Sequence, residues 1–201
     1  PFSLINYDEA HRVVDGWKAL LTRAERLNDQ LRPESRDAFF QLVLYPIRAS
    51  AIVNELYVSA GLSRLYAFQG RTSANAAADR ARALFQEDAA LSKWYNEELG
   101  QGRWRHYADQ THLGYTIWQQ PPRNAMPPVA EIQPTAYGEI GVAIEGAAPA
   151  WPEVIPGQKR PTLPPLDSLT RPHRWIEVFN RGLAPARFTV ETSEPWLHVS
   201  P

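Results

Sequence analysis

Apolar residues recur at helical spacing along the first hundred positions of the chain. The first stripe advances by steps of three and four, the period of one face of an α-helix. Its members are Ala10, Val13, Trp17, Leu20, Ala24, Leu27 and Leu31. Asn6 precedes the stripe as a candidate N-cap, and Glu9 is spaced to reach back to the Asn6 backbone N–H. The pattern predicts one amphipathic helix that begins just after Asn6.

A second stripe begins near Pro33, a residue suited to the first turn of a helix. It runs towards Gly61 and comprises Phe39, Phe40, Val43, Ile47, Val53, Leu56 and Tyr57. Pro46 lies inside this stripe, lacks a backbone N–H and is therefore expected to kink the helix.

Two further helices are predicted before residue 100. A short one covers residues 64–69, and a long one begins at Thr72 or Ser73 and ends at Gly100. The long helix is expected to bury Ala77, Ala81, Leu84, Leu91 and Tyr95. An antiparallel helical bundle buries all of these stripes.

From about Tyr137 the apolar period changes to two, which is typical of strands. Strands are predicted over residues 141–145, 174–180, 187–192 and 196–200, with a proline-rich connection over 149–172. Four strands are fewer than the roughly seven of a β-sandwich. The predicted fold class is therefore α+β multidomain. An antiparallel α-helical bundle with an extended C-terminal segment covers residues 1–136, and the N-terminal part of a truncated antiparallel β-sandwich covers 137–201.

Composition excludes several classes of partner. The net charge of −1 over 201 residues provides no basic excess for nucleic acid or for an anionic membrane surface. No apolar run approaches the roughly 20 residues that span a bilayer. There is no cysteine, hence neither disulfide nor thiolate metal site, and the first residue is Pro1. The chain is accordingly expected to be a processed product or a fragment of a longer protein.

Motifs for catalysis or cofactor binding are missing from the sequence. The five histidines lack the HxxxH or HExxH spacing of a metal site, and no GxSxG elbow is present. We therefore assign no catalytic residue, no metal and no cofactor. The carboxylate pairs Glu87-Asp88 and Glu97-Glu98 are interpreted as solvated helix faces. Asp109 differs from these pairs, because partial burial among aromatic and amide side chains could raise its pKa and make it an acid–base candidate. A buried carboxylate bonded to the backbone is the commoner arrangement and is the alternative.

Residues 109–122, DQTHLGYTIWQQPP, concentrate groups that can contact a sugar. They combine a carboxylate, an imidazole, a phenol, an indole and three carboxamides. A pyranose ring stacks on aromatic side chains and forms hydrogen bonds with groups of this kind. Aromatic residues also fill the boundary between a helical region and a sheet. The segment therefore fits a sugar-binding surface, a catalytic loop or a seam between domains.

Several longer strings resemble the C-terminal part of glycoside hydrolase family 115, the xylan α-1,2-glucuronidases. In the helical half these are residues 38–46, AFFQLVLYP, residues 54–57, NELY, and the series 103–122. The strings at 141–146, 150–152, 176–182 and 195–197 look like the opening of the C-terminal β-sandwich of the same family. The resemblance runs in order along essentially the whole chain.

This resemblance implies a parent enzyme that hydrolyses (4-O-methyl)glucuronic acid side chains from glucuronoxylan. Such enzymes have an N-terminal domain, a (β/α)8 catalytic barrel, a helical bundle and a β-sandwich. The barrel has no counterpart in this chain, so no catalytic residue is transferred to it. The chain is thus expected to be a non-catalytic C-terminal fragment that serves as accessory or scaffold domains and is inactive alone.

The resemblance also implies partners and a location. The partners would be the catalytic barrel, xylan or glucuronoxylan oligosaccharides, and a second copy in a homodimer, and the parent would be periplasmic or secreted. In the parent, His112, Tyr115 and Trp118 are the side chains best suited to contact substrate. A freestanding carbohydrate-binding or dimerisation module is the alternative, and a plain docking scaffold is a third.

Overall fold

The fold combines packed helices with a small antiparallel sheet. A computed structural model describes residues 2–153, 156–157, 160–170 and 173–200, so parts of the predicted proline-rich connection lie outside the described residues. The elements are α1 (Glu9–Gln30), α2 (Pro33–Phe39), a π-helical turn (Phe40–Leu44), α3 (Tyr45–Phe68), α4 (Ser73–Glu97), β1 (Ile140–Ile144) and β2 (Ile176–Asn180). The predicted mixed α+β class is confirmed at this level.

The long helices α3 and α4 run antiparallel. Glu55 of α3 forms a two-pronged ion pair with Arg80 of α4 at 3.0 Å, and Tyr45 near the start of α3 packs on Tyr95 near the end of α4 at 4.3 Å between ring centroids. A short connection between helices favours this antiparallel arrangement. The main core lies between the helices and includes Ala24, Phe40, Leu44, Ile52, Leu56, Leu84, Leu91, Tyr95 and Leu113.

The inward face of α1 is shifted from the predicted stripe. Val14 is buried and Leu21 packs against the core, whereas Leu20 is exposed and Leu27 is 53% exposed. Adjacent apolar residues such as Leu20 and Leu21 allow two apolar stripes that differ by one residue, and the 3.6-residue period alone does not distinguish them. The prediction that Leu20 and Leu27 face the core is therefore wrong.

The start of α1 also differs from the predicted capping box. The Glu9 carboxylate accepts a hydrogen bond from the backbone N–H of Ser3 at 2.6 Å, and the Ser3 hydroxyl accepts from the N–H of Asn6 at 3.0 Å. Asp8, in left-handed conformation, occupies the N-cap position without a side-chain cap. Ser3 thus replaces Asn6 as the partner of Glu9.

Pro46 coincides with a change of helix type. The N–H of Tyr45 bonds to the carbonyl of Phe40, five residues back, in the π-helical turn that immediately precedes α3. Pro46 has no N–H, and its ring crowds the carbonyl four residues earlier, so a widened turn accommodates it. The predicted kink at Pro46 stays a prediction, and the structure has a π-helical turn immediately before this proline.

Helix α3 continues through Gly61, so the predicted end at Gly61 and the separate helix over 64–69 are wrong. A Cβ at Gly61 would lie 3.0 Å from a methyl group of Leu4. The glycine therefore serves close packing against the N-terminal segment rather than a helix stop.

Helix α4 begins at Ser73, as predicted, and buries Ala81, Leu84, Leu91 and Tyr95. Ala77 is partly buried beside the fully buried Ala74 and Ala78. The helix ends at Glu97, and Gly100 follows with a φ of 59°. Small residues in the first half of α4 allow α3 to approach closely.

Strands β1 and β2 pair antiparallel, with Val142 opposite Val178. They correspond to the first two predicted strands. Within the described part of the chain, residues 187–192 and 196–200 form no strand, which corrects that prediction. Their alternating apolar residues, including Phe188 and Val190, are exposed because no neighbouring strand supplies hydrogen bonds or an apolar cover.

Buried arginines fasten the sheet to the connection between α3 and α4. Arg71 donates to Glu177 of β2 at 2.5 Å, and Arg181 donates to the carbonyl of Gln69 at 3.1 Å. The N–H of Thr72 bonds to the carbonyl of Asn180. These contacts cross the predicted boundary at residues 136 and 137. None of the helices in the described ranges has the length and apolar character to cross a bilayer.

Candidate functional site

A segment that follows α4, residues 106–112, folds back along that helix and is held to it by hydrogen bonds of polar side chains. The Asp109 carboxylate accepts a hydrogen bond from Asn96 at 2.6 Å and pairs with the His106 imidazole at 2.7 Å. The amide oxygen of Asn96 accepts from the backbone N–H of Ala108 at 2.9 Å. Asp109 is therefore held by side chains and not by the backbone, and it is exposed.

His112 forms a second polar contact between this segment and α4. Its Nε2 lies 3.0 and 2.8 Å from the two carboxylate oxygens of Asp88, and its Nδ1 lies 3.1 Å from the carbonyl oxygen of Gln110. Asp88 is buried, so the prediction that it belongs to a solvated face is wrong. Adjacent helix positions point about 100° apart, so Asp88 faces inwards while Glu87 remains exposed.

The surroundings of His112 favour its charged form. Partial burial lowers the pKa of His112, but the hydrogen bonds to Asp88 and to the Gln110 carbonyl, with the charge of Asp88, outweigh it and raise the pKa above its usual value. Both ring nitrogens face acceptors, which only the doubly protonated imidazole can satisfy together. The bond to Asp88 is therefore charge-assisted and anchors the segment.

Residues 113–125 form a loop that is closed at its base, called here the aromatic loop. The side-chain oxygen of Asn124 accepts from the N–H groups of His112 and Leu113 at 2.8 and 3.0 Å, and the N–H of Ala125 bonds to the carbonyl of Leu113 at 3.2 Å. Gly114 has a φ of 92°, and a Cβ there would lie 2.7 Å from that of Ala125. The closure therefore requires glycine at this position.

The tip of the aromatic loop presents apolar side chains to solvent. Trp118 is 88% exposed, Ile117 is 61% exposed, and Tyr115 is exposed while its hydroxyl donates to the carbonyl of Thr111 at 3.2 Å. Of the three predicted contact residues, Tyr115 and Trp118 thus lie on the accessible tip. His112 lies at the base, where its imidazole is engaged with Asp88.

A groove runs beneath the segment, between it and the helices α3 and α4. One part, of about 230 Å³, is lined by Tyr45, Asp88, Gln110 and His112. The adjoining part, of about 420 Å³, is lined by Asn96, Arg105, His106 and Asp109. Burial is the main cause that raises the pKa of Tyr45, so its phenol stays protonated. The two aspartates that face this groove are both engaged in hydrogen bonds with histidines.

The groove thus brings together two histidine–aspartate pairs, His106 with Asp109 and His112 with Asp88. Within the residues that the structure describes, no group of three or more histidine, aspartate or glutamate side chains could hold a metal ion. The sequence pattern missed Asp88, which neighbours Glu87 in a stretch that reads as solvated. Its position at the core period, four residues after Leu84, is the signal that could have located it.

Comparisons with known proteins add no further assignment. No protein-family model matches the chain, and no curated protein matches it. A functional proposal therefore depends on the strings described above and on the geometry of the aromatic loop.

Proposed function

We propose that the chain is the non-catalytic C-terminal region of a xylan α-glucuronidase of the family-115 type. The helices would form the accessory bundle, and β1 and β2 would open a β-sandwich in a multidomain, periplasmic or secreted enzyme. The parent would hydrolyse (4-O-methyl)glucuronic acid side chains from glucuronoxylan. The strings at 38–46, 54–57 and 103–122 support this assignment.

The exposure of Trp118 on the aromatic loop supports a role of this loop in substrate contact. An indole that is 88% exposed has most of its apolar surface in water, and stacking against a sugar ring would cover it. The base of the loop is held by Asn124 and by the bond between His112 and Asp88. A loop ordered in advance loses less conformational entropy on binding.

In the parent enzyme, this loop would border the mouth of the catalytic barrel. Tyr115 and Trp118 would contact the xylan chain, and His112 would position them from the base. The barrel would supply all catalytic groups, so the present chain alone would have no hydrolase activity.

Substitution in the full-length enzyme tests this role. Trp118→Ala and Tyr115→Ala are each expected to lower kcat/KM on glucuronoxylan about tenfold, because each removes an aromatic contact worth about 1.5 kcal/mol. Tyr137→Ala, at another exposed tyrosine outside the loop, is the matched control. Unchanged kcat/KM in both loop variants, with a normal melting temperature, would rule out the substrate contact.

A freestanding carbohydrate-binding or dimerisation module is the second candidate. The exposed Ile117 and Trp118 favour it, because adjacent exposed apolar side chains also mark contacts between proteins. Calorimetric titration of the 201-residue chain with aldouronic acids distinguishes a freestanding carbohydrate-binding module from an accessory region of an enzyme. Measurable heat of binding would support the module, and its absence would support an accessory role.

A further inference from the structure

A second cavity lies where the sheet meets α3, with no residue in common with the aromatic loop. Its volume is about 310 Å³. Leu4, Ile5 and Leu65 form the apolar part of its lining, and Tyr66 and Trp175 are its aromatic residues. Small-molecule sites span about 300–1,000 Å³, so the space fits a ligand of about one sugar ring.

The buried guanidinium of Arg71 lines this cavity with one nitrogen unused. Nε donates to the side-chain oxygen of Gln69 and Nη2 donates to Glu177, each at 2.5 Å. Among the described residues, Nη1 donates to no acceptor. The rings of Tyr66 and Phe179 lie 4.5 and 4.1 Å from the guanidinium carbon, which fixes its plane. Nη1 is thus a rigid, available donor in a side chain that is only 5% exposed.

Acceptors complement this donor. Oε2 of Glu177 accepts the hydrogen bond from Arg71, and Oε1 takes no part in that bond. At the rim, one oxygen of Asp8 pairs with His11 at 2.7 Å, and its second oxygen takes no part in that pair. Arg71 is offset by Glu177, so the cavity has no excess positive charge to attract an anion.

We propose that this cavity binds a single neutral pyranose. A sugar hydroxyl would accept a hydrogen bond from Nη1 of Arg71, and other hydroxyls would donate to Glu177 and Asp8. The C–H face of the ring would lie against Trp175, since pyranoses combine apolar faces with hydroxyls that both donate and accept. The site is independent of the proposed glucuronidase assignment.

Nuclear magnetic resonance titration of the 201-residue chain tests the proposal. The probes are D-glucose, D-galactose and D-xylose, followed through the Trp175 indole and the Asp8 and Glu177 amides. At least one sugar is expected to give saturable shifts at these groups, with a Kd in the millimolar range. No saturation with any of the three at about 0.1 M, or shifts confined to the aromatic loop, would overturn the proposal.

Substitutions of the lining residues test whether the sugar binds in this cavity. Asp8→Asn, at an exposed residue whose left-handed conformation asparagine tolerates, should weaken binding about tenfold, as should Trp175→Phe. Glu131→Gln, a carboxylate-to-amide change in the surface ion pair with Arg82, should leave the Kd within twofold. Unchanged affinity in the folded Asp8→Asn variant, or tighter binding of acetate than of the sugars, would contradict the site.

Discussion

Asp88 and His112 form a contact at the residue scale that the sequence pattern did not predict. The pattern made Asp88 a surface residue and His112 a candidate sugar contact, yet the two join across 24 positions of the chain. Sequence proximity identifies partners only within a helix or turn, and this pair depends on how the segment folds back. Tyr115 and Trp118 are exposed on the aromatic loop, and their contact with a sugar stays a prediction.

Removing the charge of Asp88 should change the titration of His112. In Asp88→Asn, the pKa of His112 is expected to fall towards its ordinary value of about 6.5, because the charged hydrogen-bond acceptor is lost. An NMR titration of the imidazole measures this. Glu97→Gln, an exposed carboxylate on the same helix, is the control and should leave the titration in place. An unchanged His112 pKa in Asp88→Asn would contradict the assigned interaction.

The same pair makes stability depend on pH with a defined sign. The pKa of His112 is raised on folding, so the contribution is fully present below the unfolded value of about 6.5 and is lost as pH rises through the folded pKa. His112→Gln should therefore cost about 1 kcal/mol of unfolding free energy near pH 5.5 and less near pH 8. Denaturant unfolding at both pH values measures the difference, and a cost that grows with pH would refute the linkage.

At the scale of elements, the periodic helices were predictable and their irregularities were not. The start of α4 at Ser73 matches the prediction, whereas α3 passes through Gly61, where the absence of a side chain leaves room for Leu4. A distant packing partner cannot be read from local propensity. Strand pairing cannot be read from local sequence either. Residues 187–192 alternate like a strand, but within the described chain they pair with no other strand.

The base of the aromatic loop depends on one side chain. Asn124→Ala removes the acceptor for two N–H groups, one of them on the buried Leu113, and should lower the unfolding free energy by about 1–2 kcal/mol. Hydrogen exchange should also show lost protection of the Leu113 amide. Gln119→Ala, at the exposed tip of the same loop, should change neither quantity. Full protection of Leu113 in Asn124→Ala would show that Asn124 does not close the loop.

At the scale of the whole molecule, buried polar groups join the helices to the sheet. Gln69, Arg71 and Arg181 are all buried at this junction, and their bonds link residues more than 70 positions apart. The sequence pattern suggested two regions because the apolar period changes from helical to strand-like near Tyr137. It did not reveal the contact between them, because arginine is ordinarily assigned to the surface.

The proposed function makes this chain an accessory part of a larger glucuronidase, without a hydrolytic centre of its own. Release of 4-O-methylglucuronic acid from glucuronoxylan, measured side by side for the 201-residue chain and for the full-length protein of its gene, tests this proposal. We expect release by the full-length protein and none by the chain. Release by the chain alone, or none by the full-length protein, would contradict it.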